Sequence, residues 1–172
     1  MNMTDKPRLI LMRHAKSSWS DVETADFDRR LAERGKKVAP RIGKWLRKRG
    51  YVPDVLVSSP ARRARDTAIL VGREFDIPKA RIAWDKRIYE AGTAELLDVL
   101  KTHAECAGGV LIVGHNPGLD ELLLFLCADE PARDAKGRLL TTGAVAVLTF
   151  AGKFDFAAGR ARLKKLMRPK DL

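Results

Sequence analysis

Two histidines and a set of arginines carry the residue types that could do covalent chemistry in this chain. They fall in three short clusters, Arg13-His14, Arg62-Arg63 and His115-Asn116. A neutral imidazole with an unprotonated ring nitrogen is a competent nucleophile. Guanidinium groups offer planar, paired donors to oxyanions and stay charged at any relevant pH. The combination suits phosphoryl transfer, in which one histidine attacks in line while the arginines and the second histidine hold the equatorial oxygens. No His/Cys/Asp/Glu cluster has metal-ligand spacing, so neither a metal nor a cofactor is expected.

Each cluster follows a short apolar run. Leu9-Ile-Leu-Met12 leads into Arg13-His14, Val55-Leu-Val57 into Ser58-Ser59-Pro60, and Val110-Leu-Ile-Val113 into Gly114-His115-Asn116-Pro117. Such runs read as buried strands of a parallel sheet, and open α/β sheets place ligands at the carboxyl ends of their strands. If these three strands are neighbours, the clusters share one pocket. Ser59 is expected to cap a helix with Pro60 in its first turn, and His115-Asn116-Pro117 repeats that pattern, so helix N-termini would face the same place.

The remaining elements alternate. Val38, Ile42, Trp45 and Leu46 share one face of a helix over 32–49, with Trp45 in the core, Pro40 kinking it or marking its start, and Gly50 ending it. Strands are expected at 8–13, 54–58, 80–84, 109–113, 145–150 and about 161–168. Further helices are expected over about 60–74, from a Thr93 cap to about His103, and from 117 to about Cys127. Residues 1–7 read as a frayed lead-in. The long irregular stretch 16–30 reads as a functional loop with at most one helical turn. The pattern predicts one domain over 1–172. Its fold class is α/β, a three-layer α/β/α sandwich. The six-stranded sheet is mostly parallel, with one antiparallel strand near the C-terminus.

Composition narrows the class. In 172 residues, 45% are hydrophobic, enough for a core, and the net charge is +11 with 33 Lys and Arg. A basic surface points to an anionic partner, without choosing among phosphate, phosphoprotein, nucleic acid and membrane surface. The pairs Lys36-Lys37 and Lys164-Lys165 read as solvated faces rather than nucleic-acid patches, and His103 as a surface histidine. Cys106 and Cys127 fit no metal or redox motif and read as reduced thiols of a cytoplasmic protein. The first sixteen residues lack the apolar core of a secretory leader, and the longest apolar run is too short to span a bilayer.

The three motifs together resemble the histidine phosphatase superfamily, which also contains the cofactor-dependent phosphoglycerate mutases. Arg13-His14-Ala15-Lys16-Ser17-Ser18-Trp19 is similar to its Arg-His-Gly signature. Ser58 to Ala68 is similar to the second motif, and Gly114-His-Asn-Pro-Gly118 to the third. The likeness extends over nearly the whole chain. It leans toward the small SixA-type phosphohistidine phosphatases, whose flavour the ending Arg168-Pro-Lys-Asp-Leu172 shares.

The resemblance implies that His14 is the nucleophile and that Arg13, Arg63 and His115 bind the transferred phosphoryl group. Alignment on Arg-Ala selects Arg63 rather than Arg62. Asn116 joins the phosphate-binding set. Glu90 stands where some relatives keep a proton-donating acid, or is a solvated loop residue. Ser20 stands where mutase-like members place an asparagine, and Trp19 either walls the pocket or simply packs. Ala15 for glycine and Asp66 for glutamine are further departures, which point away from the mutases.

The implied activity is a metal-independent phosphatase with a phosphohistidine intermediate, acting on protein phosphohistidine. The alternatives are a small-phosphoester phosphatase, a phosphoglycerate mutase-type transferase, or a non-catalytic module that binds anions or nucleic acid. The intervals from Arg63 to Glu90 and from Glu90 to His115, 27 and 25 residues, leave no room for lid insertions and favour a phosphorylated protein or an open-site ester. They count against the mutase, and nucleic acid and membrane are not expected partners. Oligomeric state is not legible.

Overall fold

In the computed structural model, residues 6–20, 23–105 and 107–172 are described. Cys106 and most of the 1–7 lead-in therefore lie outside the described residues. Ten principal elements follow in order: β1 (Arg8–Arg13), α1 (Glu33–Lys48), β2 (Val55–Ser58), α2 (Arg62–Arg73), β3 (Ala83–Trp84), α3 (Thr93–Ala104), β4 (Gly109–Gly114), α4 (Gly118–Leu126), β5 (Val145–Thr149) and β6 (Arg162–Met167).

One sheet carries the strands in the order β3-β2-β4-β1-β5-β6. The first four are mutually parallel, while β5 runs opposite to both β1 and β6. The fold is thus the expected α/β sandwich. The three strands that end in chemistry, β2, β4 and β1, lie side by side, with Arg13 opposite Gly114 and Ser58 opposite Val113. Their carboxyl ends form one edge, and that juxtaposition assembles the site.

Strand alternation sorts the core into two layers. Leu9 and Leu11 of β1, with Val110 and Ile112 of β4, pack under Leu96, Leu100, Leu119 and Leu123 of α3 and α4. Ile10, Met12, Leu111 and Val113 face Ala39, Ile42 and Leu46 of α1 and Ala64, Ala68 and Val71 of α2. Strands β1 and β4 are buried on both faces, so they read as continuous apolar runs. Fully burying each such side chain contributes about 1.5–3 kcal/mol, which makes these strand ends firm supports. Strand β6 is an edge strand with exposed Lys164 and Lys165, a composition that discourages edge-to-edge pairing.

Several local expectations are corrected. Helix α1 starts at Glu33, well before Pro40, which lies in its interior. The helix ends as Gly50 predicts. Gly50 adopts φ 73°, its N–H bonds the Arg47 carbonyl, and the Tyr51 N–H bonds that of Leu46, which is a Schellman closure. Trp45 is half-buried at the margin of the core.

Ser59 does not cap α2, which begins at Arg62, because the Ser59 hydroxyl is engaged elsewhere. Thr93 is the first residue of α3 rather than its cap; Glu95 reaches back to the Gly92 N–H at 3.0 Å. The expected strand 80–84 is a helical turn over Lys79–Arg81 followed by two strand residues. Pro7 is buried, and its carbonyl accepts the Phe150 N–H.

Candidate active site

A cavity of about 580 Å³ opens at the shared strand edge, bordered by Arg13, His14, Arg63, Glu90, His115 and Asn116. All six were singled out from the sequence. Further lining comes from Asp26, Arg29, Tyr89 and Glu121, which sequence reasoning passed over.

His14 sits one residue beyond β1 and is 7% exposed. Its backbone N–H continues the ladder onto the Gly114 carbonyl at 3.0 Å. Its Nδ1 lies 2.7 Å from the carbonyl of Ala15, a contact that makes Nδ1 the protonated nitrogen. Nε2 then carries the lone pair, and the Nε–H of Arg63 donates to it at 3.3 Å. Burial first, then the nearby His115, Arg63 and Arg13, hold the His14 imidazole down to about 3, although the Ala15 bond opposes the shift. The ring is neutral at neutral pH with its free nitrogen turned toward cations.

Arg63 lies in the first turn of α2, whose start is set by β2. A bridge across the back of the site links it to the nucleophile: the Thr67 hydroxyl donates to the Arg63 carbonyl at 2.7 Å and accepts the Ala15 N–H at 3.0 Å. Thr67 is fully buried, so helix α2 and the segment after His14 are held as one unit.

His115 follows β4, its ring centroid 5.2 Å from that of His14. Ser59 Oγ lies 2.8 Å from its Nε2. The same oxygen also accepts the Ala61 N–H at 3.2 Å, so Ser59 ties His115 to the start of α2. His115 Nδ1 is buried without a partner. Burial and then the Arg63 charge hold His115 down to about 4, with Asp26 opposing.

Arg13 and Asn116 converge on one acceptor. Arg13 Nη1 and Asn116 Nδ2 each donate to the Leu140 carbonyl at 3.0 Å, and the Leu140 N–H is fixed by Asp120 of α4 at 3.0 Å. Burial lowers the Arg13 guanidinium from its ordinary value, partly offset by Asp120. Arg13 Nε and Asn116 Oδ1 are also buried without partners. Arg13, Arg63 and His115 nevertheless border one cavity, and side chains of these types are suited to the oxygens of a tetrahedral oxyanion.

Asp26 occupies the mouth. Its Oδ2 accepts from Arg63 Nη2 and from the Tyr89 hydroxyl, both at 2.9 Å, and its Oδ1 accepts from Arg29 Nη2 at 2.7 Å. Desolvation opposes ionisation, but the bonds from Tyr89 and Arg29 and the charge of Arg63 hold this carboxyl down to about 2. Arg29 is buried and reaches Ser17 Oγ at 3.1 Å. The sequence signal for both residues was the functional loop 16–30; what it lacked was any motif saying which loop residues turn inward.

Trp19 and Ser20 do not enter this cavity. Trp19 is 69% exposed, and its ring carries the Arg29 guanidinium at 3.7 Å from the centroid. It props Arg29 from outside. Ser20 bonds Ser18 at 2.7 Å and lines a neighbouring depression with Arg30 and Arg62.

Glu90 does border the cavity, exposed and with a positive φ of 55°. The chain beside it is tightly constrained, because a Cβ at Gly118 would collide with the Ala91 carbonyl. His103 is not a bare surface histidine: its Nε2 meets Asp85 Oδ2 at 3.1 Å, away from the site. Cys127 is a buried free thiol, pushed up to about 11 by burial. Among the described residues no metal-ligating cluster occurs, and no helix is long and apolar enough to cross a membrane.

With this geometry in place, the comparisons are decisive at the level of family. The family model of the histidine phosphatase superfamily (branch 1) matches residues 9–95. The chain belongs to the histidine phosphatase superfamily. An uncharacterised protein of Mycobacterium leprae is 34% identical over 150 residues, covering 84% of this chain and 90% of the relative.

Among solved structures, an Agrobacterium tumefaciens protein assigned as phosphohistidine phosphatase SixA superposes with a TM-score of 0.76 at 27% identity, covering 95% of this chain and 99% of that one. This likeness places the superfamily member with the SixA-type branch. A 2,3-bisphosphoglycerate-dependent phosphoglycerate mutase of Streptomyces griseus is 38% identical over 109 residues, covering 60% of this chain but 43% of the mutase.

Proposed function

We propose that this histidine phosphatase superfamily member hydrolyses phosphohistidine on proteins through a phosphoenzyme at His14. One observation carries the reading: Nδ1 of a buried, neutral His14 is bound to the Ala15 carbonyl, so Nε2 presents its lone pair to a cavity lined by arginines. Nε2 attacks phosphorus in line. The new P–Nε2 bond forms as the bond from phosphorus to the substrate nitrogen breaks, and a proton taken up by the substrate imidazole from solvent at the open mouth lets that ring leave neutral. The Ala15 carbonyl keeps Nδ1–H in place and stabilises the positive charge that grows on the ring. Arg13, Arg63 and His115, which border the cavity, hold the equatorial oxygens. Water then attacks the phosphohistidine, releasing inorganic phosphate and restoring neutral His14.

The open mouth supports a protruding phosphorylated side chain. The chain between Arg63 and His115 is spent on α2, the two residues of β3, α3 and β4, with no inserted lid over the site. A phosphoramidate nitrogen is a good leaving group, so Glu90 is not needed as a strong general acid.

The experiment is a rapid quench with labelled phosphohistidine protein and, separately, an aryl phosphate, followed by mapping of the label. Label is expected on His14, with loss of about 10³-fold or more in turnover for His14→Ala. Undiminished turnover by His14→Ala would sink the mechanism. Transfer to phosphoglycerate outpacing hydrolysis would replace the phosphatase by a mutase.

A further inference from the structure

A second cavity, of about 300 Å³, shares none of the active site's lining. Lys16, Arg34, Arg138 and Lys170 line it, together with Thr141 and Thr142. Every charged residue of the lining is a cation. Arg138 is neutralised by Asp134 at 2.8 Å. Lys16, Arg34 and Lys170 have no ion pair or side-chain hydrogen bond among the described residues. Of the sequence-adjacent acids, Glu33 is bound to Lys36 at 2.6 Å and Asp171 is outside the lining.

Unpaired cations are common on a basic surface, but they ordinarily spread over convex faces where water screens them. Here three uncompensated cations and two hydroxyl residues border one hollow, an arrangement that favours an anion within it.

The position of the hollow relates it to the reaction. Lys16 follows Ala15, the residue that fixes the His14 tautomer. Thr141 and Thr142 follow Leu140, whose carbonyl holds Arg13 and Asn116. The two stretches of chain that border the basic hollow therefore also hold catalytic side chains in place. A polypeptide whose phosphorylated side chain enters the active site can lay a neighbouring segment against the hollow.

We infer that the hollow formed by Lys16, Arg34, Arg138 and Lys170 is a docking site for an acidic segment of the phosphorylated protein substrate. The inference rests on the protein phosphohistidine reading above. It adds that substrates are selected by carboxylates outside the catalytic cavity. Such contacts raise the encounter rate and weaken with salt.

The test uses three substrates: a phosphohistidine peptide flanked by Asp and Glu, the same peptide flanked by Ser and Asn, and an aryl phosphate. The variant is Arg34→Glu with Lys170→Glu, both exposed and outside the catalytic machinery, with Arg34→Gln/Lys170→Gln as the milder pair. The charge reversal is expected to lower kcat/KM for the acidic peptide about tenfold or more, and that for the other two substrates by less than about twofold. Retained aryl phosphatase activity reports an intact fold.

A second readout is independent of catalysis. Fluorescence anisotropy with the unphosphorylated acidic peptide should show salt-sensitive binding to the natural chain and lose it in the reversal variant. Equal losses on all three substrates, no loss on the acidic peptide, or undiminished peptide binding by the variant would each overturn the docking site. Failure of the natural chain to turn over either phosphohistidine peptide, with acidic-peptide binding intact, would instead overturn the substrate reading alone.

Discussion

The floor of the active site and its mouth are built on different principles. On the floor, His14 and Ser59 stand just beyond the ends of core strands and Arg63 in the first turn of the helix that follows β2, all nine-tenths or more buried. Their partners are mostly backbone groups or one another: the Ala15 carbonyl for His14, the Ala61 N–H for Ser59, and Thr67 joining the Ala15 amide to the Arg63 carbonyl. At the mouth, Asp26 has a half-exposed side chain and Glu90 is exposed, and what orders Asp26 is a fan of ionic bonds. The floor inherits its precision from sheet packing. The mouth is held electrostatically and can exchange partners. Changes to the floor should therefore act on turnover or on the fold, and changes to the mouth on affinity.

Among changes that keep the nucleophile, the largest effect is expected at Arg63, the one side chain that belongs to both regions. Arg63→Ala should lower kcat about 10²- to 10³-fold, as removal of an oxyanion-stabilising donor does elsewhere. Arg63→Lys should recover little, because an ammonium cannot place one N–H on His14 Nε2 and two others at the mouth. Steady-state kinetics on an aryl phosphate decides this. Recovery to within about threefold of the natural rate by lysine would show that charge alone suffices.

Next in size is the effect of pH on stability. Both site histidines lie below the unfolded value, at about 3 for His14 and about 4 for His115. From about pH 6.5 downward the unfolded chain binds protons that the native site refuses, so stability is lost as pH falls toward the folded values. Urea titrations at pH 7.5 and 5.0 should differ by about 1–2 kcal/mol for each histidine. A His14→Gln/His115→Gln variant should show a smaller difference. In NMR spectra both rings should remain neutral from pH 8 to 5; titration of His14 near 6.5 would place it outside the buried floor.

A smaller effect is expected at the mouth. Asp26 is an anion held where an anionic substrate must approach Arg63. Asp26→Asn should tighten inhibition by inorganic phosphate about three- to tenfold while kcat changes little, because Arg63 keeps its Nε–H bond to His14 and loses only an anionic partner at the mouth. A large fall in kcat instead would make Asp26 part of the alignment machinery. Smallest of all is Glu90→Gln, expected to change phosphohistidine turnover by less than about threefold and alkyl phosphate turnover more.

The floor was legible in the sequence because its residues are attached to features that sequence displays well. Buried parallel strands are uninterrupted apolar runs, and His14, Ser58 and His115 mark where each run stops. Adjacency of β2, β4 and β1 turned three local motifs into one site. The mouth was less legible, since Asp26 and Arg29 act through contacts with Tyr89 and Arg63, residues far along the chain that no local period announces. Ser59 shows the same limit in reverse. Its type and its neighbour Pro60 signal a helix cap, but long-range bonding to His115 recruits the hydroxyl and the helix starts at Arg62. Local rules identify what a residue can do, and tertiary contacts choose among the possibilities.

The Leu140 carbonyl has a consequence for how this site can be altered. One backbone oxygen aims both Arg13 and Asn116, and Asp120 sets its position through the adjoining N–H. The chain just before it, 132–138, is largely exposed and turns around the Asp134–Arg138 pair. Inserted sequence near Gly137 could therefore grow outward as new architecture, whereas a one-residue change in length between Leu139 and Gly143 would re-aim two side chains at once. The loop divides into a stretch free to diversify and a stretch whose length is part of the catalyst.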